Sequence, residues 1–137
     1  MFWHAHLAFG LAIVSTVTVD PMLLLLGALL ALVSDLDKPF GHRHWFSHSI
    51  YAALMFAAVA LIASGFQPIY AIVVFIAVAS HVALDFLTKS GVPILYPWKK
   101  KHYGLRLFSA NNKKANGAIV IMSLLVLLSN LWRAYPL

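Results

Sequence analysis

The stretch from Ser49 to Leu84 reads SIYAALMFAAVALIASGFQPIYAIVVFIAVASHVAL and contains no Asp, Glu, Lys or Arg. A helix needs about 20 apolar residues to span the hydrocarbon core of a bilayer, so this stretch is long enough for two helices. Ser64-Gly65-Phe66-Gln67-Pro68 divides it, because glycine and proline punctuate helices and mark turns. The sequence thus predicts one helix over about residues 49–65 and another over about 68–87. Backbone groups in lipid find no water to bond, so such segments are helical.

Working outward, about residues 117–132 form another uncharged run, with Trp132 and Tyr135 placed for an interfacial belt. Upstream, Leu7–Val19 and Pro21–Val33 are apolar but short, and Asp20 separates them. Pro21 suits the first turn of a helix. These two runs are expected as short tilted spans or a re-entrant hairpin. The fold class expected is all-α, an integral membrane helical bundle of about five segments with the first two short. Residues 1–137 are read as a single multi-pass membrane domain. Composition agrees: 62% of residues are hydrophobic and 10% charged, where a soluble domain is nearer a quarter charged. Cysteine is absent, which excludes disulfides and thiolate ligands.

Lys and Arg number 10 against 4 Asp and no Glu, giving a net charge of +6. The cations lie between apolar segments, so they read as loop charges and no nucleic-acid partner is expected. Lys38 and Arg43 fall in the loop 34–47, and seven more cations fall in the loop 89–116. Positive loops stay in the cytoplasm. The expected location is therefore a bacterial or archaeal cytoplasmic membrane, with the N-terminus inside. No cleaved signal peptide is expected at Met1-Phe2-Trp3-His4.

In that topology the chemically capable side chains gather on one face. His6 opens the first segment, Asp35 and Asp37 close the second, His48 opens the third, and His81 and Asp85 end the fourth. His81 and Asp85 are four apart and share one helix face. Ionisable groups near a span's end are expensive in lipid and should face partners in the bundle. Taken singly, each cluster has an ordinary structural explanation as a cap, a packed histidine or a wet loop. Together, three or more imidazoles with two or three carboxylates make a nitrogen and oxygen site for one or two divalent ions. Zinc is the first choice, with manganese or iron as alternatives. Arg43 suits a phosphoryl oxygen, because guanidinium matches it with two hydrogen bonds.

Several motifs carry a resemblance. They are His6-Leu7-Ala8-Phe9-Gly10, Ser34-Asp35-Leu36-Asp37, His42-Arg43-His44-Trp45-Phe46-Ser47-His48-Ser49, and His81-Val82-Ala83-Leu84-Asp85 running into Thr88-Lys89-Ser90-Gly91 and Leu95-Tyr96-Pro97. In order and character these resemble the LexA-regulated, membrane-bound, metal-dependent hydrolase family over about residues 4–98. That family is itself distantly similar to the zinc phospholipase C and P1 nuclease group. Ala5, Ser34 and Ser47 stand where the family usually has Thr, Pro and Thr. The resemblance implies metal roles for His6, Asp35, Asp37, His48, His81 and Asp85.

The resulting expectation is a hydrolase of a phosphoester or ester in a membrane lipid or amphiphile. A metal-activated water attacks, Arg43 steadies developing charge, and His44 or His42 handles protons. The expected partners are membrane lipids and a lipid-like substrate. The alternative is a non-enzymatic membrane protein with a structural metal or a metal-handling role. Phosphatidic-acid phosphatases also use His-x-x-x-Asp but need an arginine where Phe75 stands, and H-E-x-x-H proteases need a glutamate.

Overall fold

The computed structural model describes residues 1–40 and 46–136, with the side chains of 37–40 outside the description. Among the described residues there are five α-helices: α1 Trp3–Val14, α2 Pro21–Leu30, α3 Ile50–Ala63, α4 Pro68–Phe86 and α5 Lys113–Ala134. A 3₁₀ helix, Val33–Phe40, follows α2. No named strand occurs among the described residues, so the fold is all-helical.

Local chemistry sets the ends. Asp20 caps α2, its carboxylate accepting from the amides of Met22 and Leu23 at 2.9 and 3.0 Å, with Pro21 in the first turn. A capping side chain satisfies amides that have no partner within the helix. α1 stops at Val14, short of the predicted Val19. Ser15 and Thr16 turn their hydroxyls back onto the carbonyls of Ala12 and Ile13, both at 2.7 Å, and such local bonds compete with helix continuation.

The turn predicted at Ser64–Pro68 is a Schellman motif. Gly65 adopts φ +67°, Phe66 donates to the carbonyl of Leu61 at 2.8 Å, and Gly65 donates to that of Ile62 at 3.1 Å. A left-handed residue just past a helix end is the usual stop, and glycine bears it without Cβ strain. Pro68 then opens α4.

α4 is the axis of the bundle. It packs against α1, α2 and α3, whereas α5 packs against α1. Val14, Val73 and Ala77 form an apolar centre, flanked by leucines of α2. α1 and α2 approach closely at Gly10, where an added Cβ would lie 2.4 Å from the Cβ of Ala31. Small residues permit such close backbone approach.

α4 and α5 are each long and apolar enough to cross a membrane, with mean hydropathy 2.1 and 1.8 over their best windows. α1, α2 and α3 have 12, 10 and 14 residues. At 1.5 Å per residue these reach only about 15–21 Å, short of a hydrocarbon core of about 30 Å.

Candidate metal centre

Five of the predicted ligands meet at one end of the bundle. His6 comes from the first turns of α1, Asp35 from the 3₁₀ helix after α2, and His48 from the approach to α3. His81 and Asp85 come from the last two turns of α4. His6, His48, His81 and Asp85 are fully buried, and the Asp35 side chain is 10% exposed.

Asp85 is the hub. Its Oδ1 lies 3.5 Å from His6 Nε2, and its Oδ2 lies 3.6 Å from His48 Nε2 and 4.0 Å from His81 Nε2. Asp35 Oδ1 lies 3.9 Å from His81 Nε2. The His6 and His81 rings stack at 3.7 Å with 10° between their planes, and His48 meets His81 edge-on at 5.2 Å. The Met1 nitrogen donates to Asp85 Oδ1 at 3.1 Å.

The outer contacts orient the rings. His81 Nδ1 lies 2.7 Å from the carbonyl oxygen of Ala31. A carbonyl only accepts, so Nδ1 carries the proton and donates it. In the neutral ring, Nε2 then presents a lone pair toward the carboxylates of Asp35 and Asp85, and among the described residues it has no hydrogen-bond partner. Neither ring nitrogen of His6 has a hydrogen-bond partner among the described residues. His48 Nδ1 is held by the Ser47 hydroxyl at 3.0 Å, and Ser49 caps α3 by accepting from the Ala52 amide. The sequence does not single out Ala31, and it marks Ser47 only as a departure from the threonine of the resembled family. A backbone carbonyl leaves no sequence signal, and a lone serine leaves a weak one.

Lone pairs and carboxylates facing one another in a buried space repel unless a cation or proton lies between them. Ligands about 2.1 Å from an ion stand no more than about 4.2 Å apart, and the four contacts among these nitrogens and oxygens fall within that limit. Two groups of three have the spacing to hold an ion: His6, His81 and Asp85, and Asp35, His48 and His81. Both need His81, and its Nδ1 is already engaged with Ala31. The two groups therefore share one nitrogen and do not form two separate triads.

His42, Arg43 and His44 lie outside the described residues, as does the Asp37 side chain. His4 is exposed and sits beside the rings of Phe2 and Trp3. The end of the bundle is braced by buried Asn116 at the start of α5. Its side-chain oxygen accepts from the Phe2 amide at 3.0 Å, and its nitrogen donates to the carbonyls of Ala110 and Asn112.

The model of the YdjM inner membrane protein family matches residues 1–136. The chain belongs to that family. Membership agrees with two helices of spanning length and with apolar side chains exposed along α5. Neither a curated protein nor a solved structure matches the chain. Among the described residues, the buried histidine and aspartate cluster has the donor set to hold a metal ion.

Proposed function

We propose that this inner membrane protein is a multi-pass, metal-dependent hydrolase. It acts on a phosphoester or ester of a membrane lipid or similar amphiphile at the cytoplasmic face. The observation that carries this reading is the cluster itself: three imidazoles and two carboxylates converge from distant parts of the chain, and His6 and His81 aim unbonded nitrogens into it.

Buried groups of that kind cost stability unless a ligand satisfies them. His6, His48, His81, Asp35 and Asp85 would hold the ion, with Asp37 as a further candidate. Zinc, manganese or iron each suit a nitrogen and oxygen set. The shared His81 nitrogen favours one ion over two. A bound divalent ion supplies Lewis acidity and lowers the pKa of water toward neutral.

The protein's own groups do the rest. The Ala31 carbonyl fixes the His81 ring, which in metal sites keeps the ligating nitrogen deprotonated and aimed. Arg43 is assigned to the developing phosphoryl charge, and His42 or His44 to the leaving-group proton. The cluster lies at the end of α4 where the basic segment begins, and positive segments remain cytoplasmic. That supports a cytoplasmic N-terminus.

The test is turnover of phosphomonoester, phosphodiester and carboxylic ester lipids by purified protein, with and without chelator. Chelator-sensitive hydrolysis lost in Arg43→Ala supports the reading. Metal-replete protein inert toward all three classes contradicts it.

One observation favours a second reading. His6, His48, His81 and Asp85 have no exposed surface, as in closed structural sites, where protein atoms fill the coordination shell. A metal that stabilises the fold without accepting an exogenous ligand, such as azide followed by cobalt spectroscopy, would identify that role.

A further inference from the structure

Among the described residues, the segment joining α4 to α5, residues 87–112, supplies no ligand to the cluster. It carries Lys89, Lys99, Lys100, Lys101 and Arg106, and Lys113 and Lys114 open α5. All seven are exposed. The chain has no Asp or Glu after Asp85, so the segment holds no carboxylate of its own to balance them. Among these cations stand large apolar side chains in the open: Trp98 is 72% exposed, Leu105 58% and Leu107 64%.

The display is fixed by main-chain bonds. Leu105 donates to the Phe86 carbonyl at 2.9 Å, and Leu107 donates to that of Leu87 at 3.0 Å. Val92 and Tyr103 exchange two bonds of 2.9 Å. Between the two leucines Arg106 sits at φ +57°, a region that residues with side chains seldom adopt. The Trp98 ring packs 4.4 Å from that of Tyr51 in the first turn of α3. Apolar side chains pinned outward among cations are a poor surface for water alone.

We propose that this segment is a docking surface for anionic phospholipid headgroups. It joins the two helices of spanning length, so where these cross the membrane it lies at the level of the headgroups. The inference rests on that placement but not on hydrolysis. Tryptophan suits the interface, leucine the acyl boundary, and each lysine or arginine gains from anionic lipid. A nucleic acid would match the charge but would leave Leu105 and Leu107 in water.

The test uses full-length protein with Trp3, Trp45 and Trp132 changed to Phe, leaving Trp98 as the reporter. It is reconstituted in vesicles of equal phosphatidylcholine and phosphatidylglycerol, with bromine on the chains of one lipid or the other. Brominated phosphatidylglycerol should quench Trp98 more strongly than brominated phosphatidylcholine. One cation at the surface corresponds to about fivefold in lipid preference, so K99Q/K100Q/K101Q/R106Q should lower the preference at least about fivefold. Equal quenching by the two lipids in the single-tryptophan protein overturns the proposal, and so does a preference unchanged in the variant. Should the variant not fold, salt titration of the single-tryptophan protein decides. A preference erased by high salt supports the proposal, and one that persists overturns it. Shielding of Trp98 by an oligonucleotide in place of phosphatidylglycerol also overturns it. No activity is read, so the outcome is separate from that of the hydrolase assay.

Discussion

α4 and α5 have similar length and hydropathy, yet they do different work. Half of α4's most apolar window is buried inside the protein, against 11% for α5. α4 is ringed by α1, α2 and α3, and it ends in His81 and Asp85. α5 touches α1, shows Ile121, Met122, Leu125 and Leu128 to the outside, and keeps its buried positions for Asn116 and Ser123. Hydropathy identifies both as candidates for spanning a membrane but does not say which is central. The ionisable pair does, because charge-bearing groups in an apolar helix must find partners within the protein.

Changes at the two helices should therefore differ in kind and in size. The largest effect is expected at the hub. Asp85→Asn should cut metal affinity by more than the 10–100-fold that the loss of an outer-shell partner costs, as read by metal content after dialysis. Next come matched leucines. Leu84 is 2% exposed, and Leu84→Ala should destabilise by about 2–5 kcal/mol. Leu125 is 57% exposed, and Leu125→Ala should stay within about 0.5 kcal/mol. Denaturant titration in mixed micelles measures both, and equal losses would erase the distinction between the helices.

Gly10 sharpens the same contrast one turn beyond His6. Gly10→Ala would drive a methyl into Ala31, the residue whose carbonyl holds His81. A cost of about 1–3 kcal/mol is expected, with weaker metal retention than for wild type. A second small effect belongs to α5. Asn130 donates to the Ser15 hydroxyl at 2.9 Å, and Asn130→Ala should cost about 0.6 kcal/mol, the mean for hydrogen bonds between helices in membranes.

Much of this was legible in the sequence, for identifiable reasons. The α3–α4 pair follows from one uncharged stretch broken by Gly65 and Pro68, since both residues act on the backbone directly. The meeting of His6, Asp35, His48, His81 and Asp85 follows from their places at successive helix ends, because reversals of the chain bring alternate ends together. The length of the first helix was less legible. Apolar composition runs on to Val19, but the hydroxyls of Ser15 and Thr16 end the helix at Val14. The contacts that orient the cluster were not legible at all. The Ala31 carbonyl is common to every residue type, and its partnership with His81 depends on the close approach that Gly10 permits.

Side chains from four separate stretches converge in one cluster with the spacing to hold a cation. X-ray absorption on purified protein, paired with metal quantitation, tests it most directly. One or two divalent ions per chain are expected, with nitrogen and oxygen neighbours that include imidazole scattering, and both His6→Ala and His81→Ala should lose the ion. Protein that is folded and metal-free after growth with metal, or whose metal content is unchanged in both variants, would contradict it.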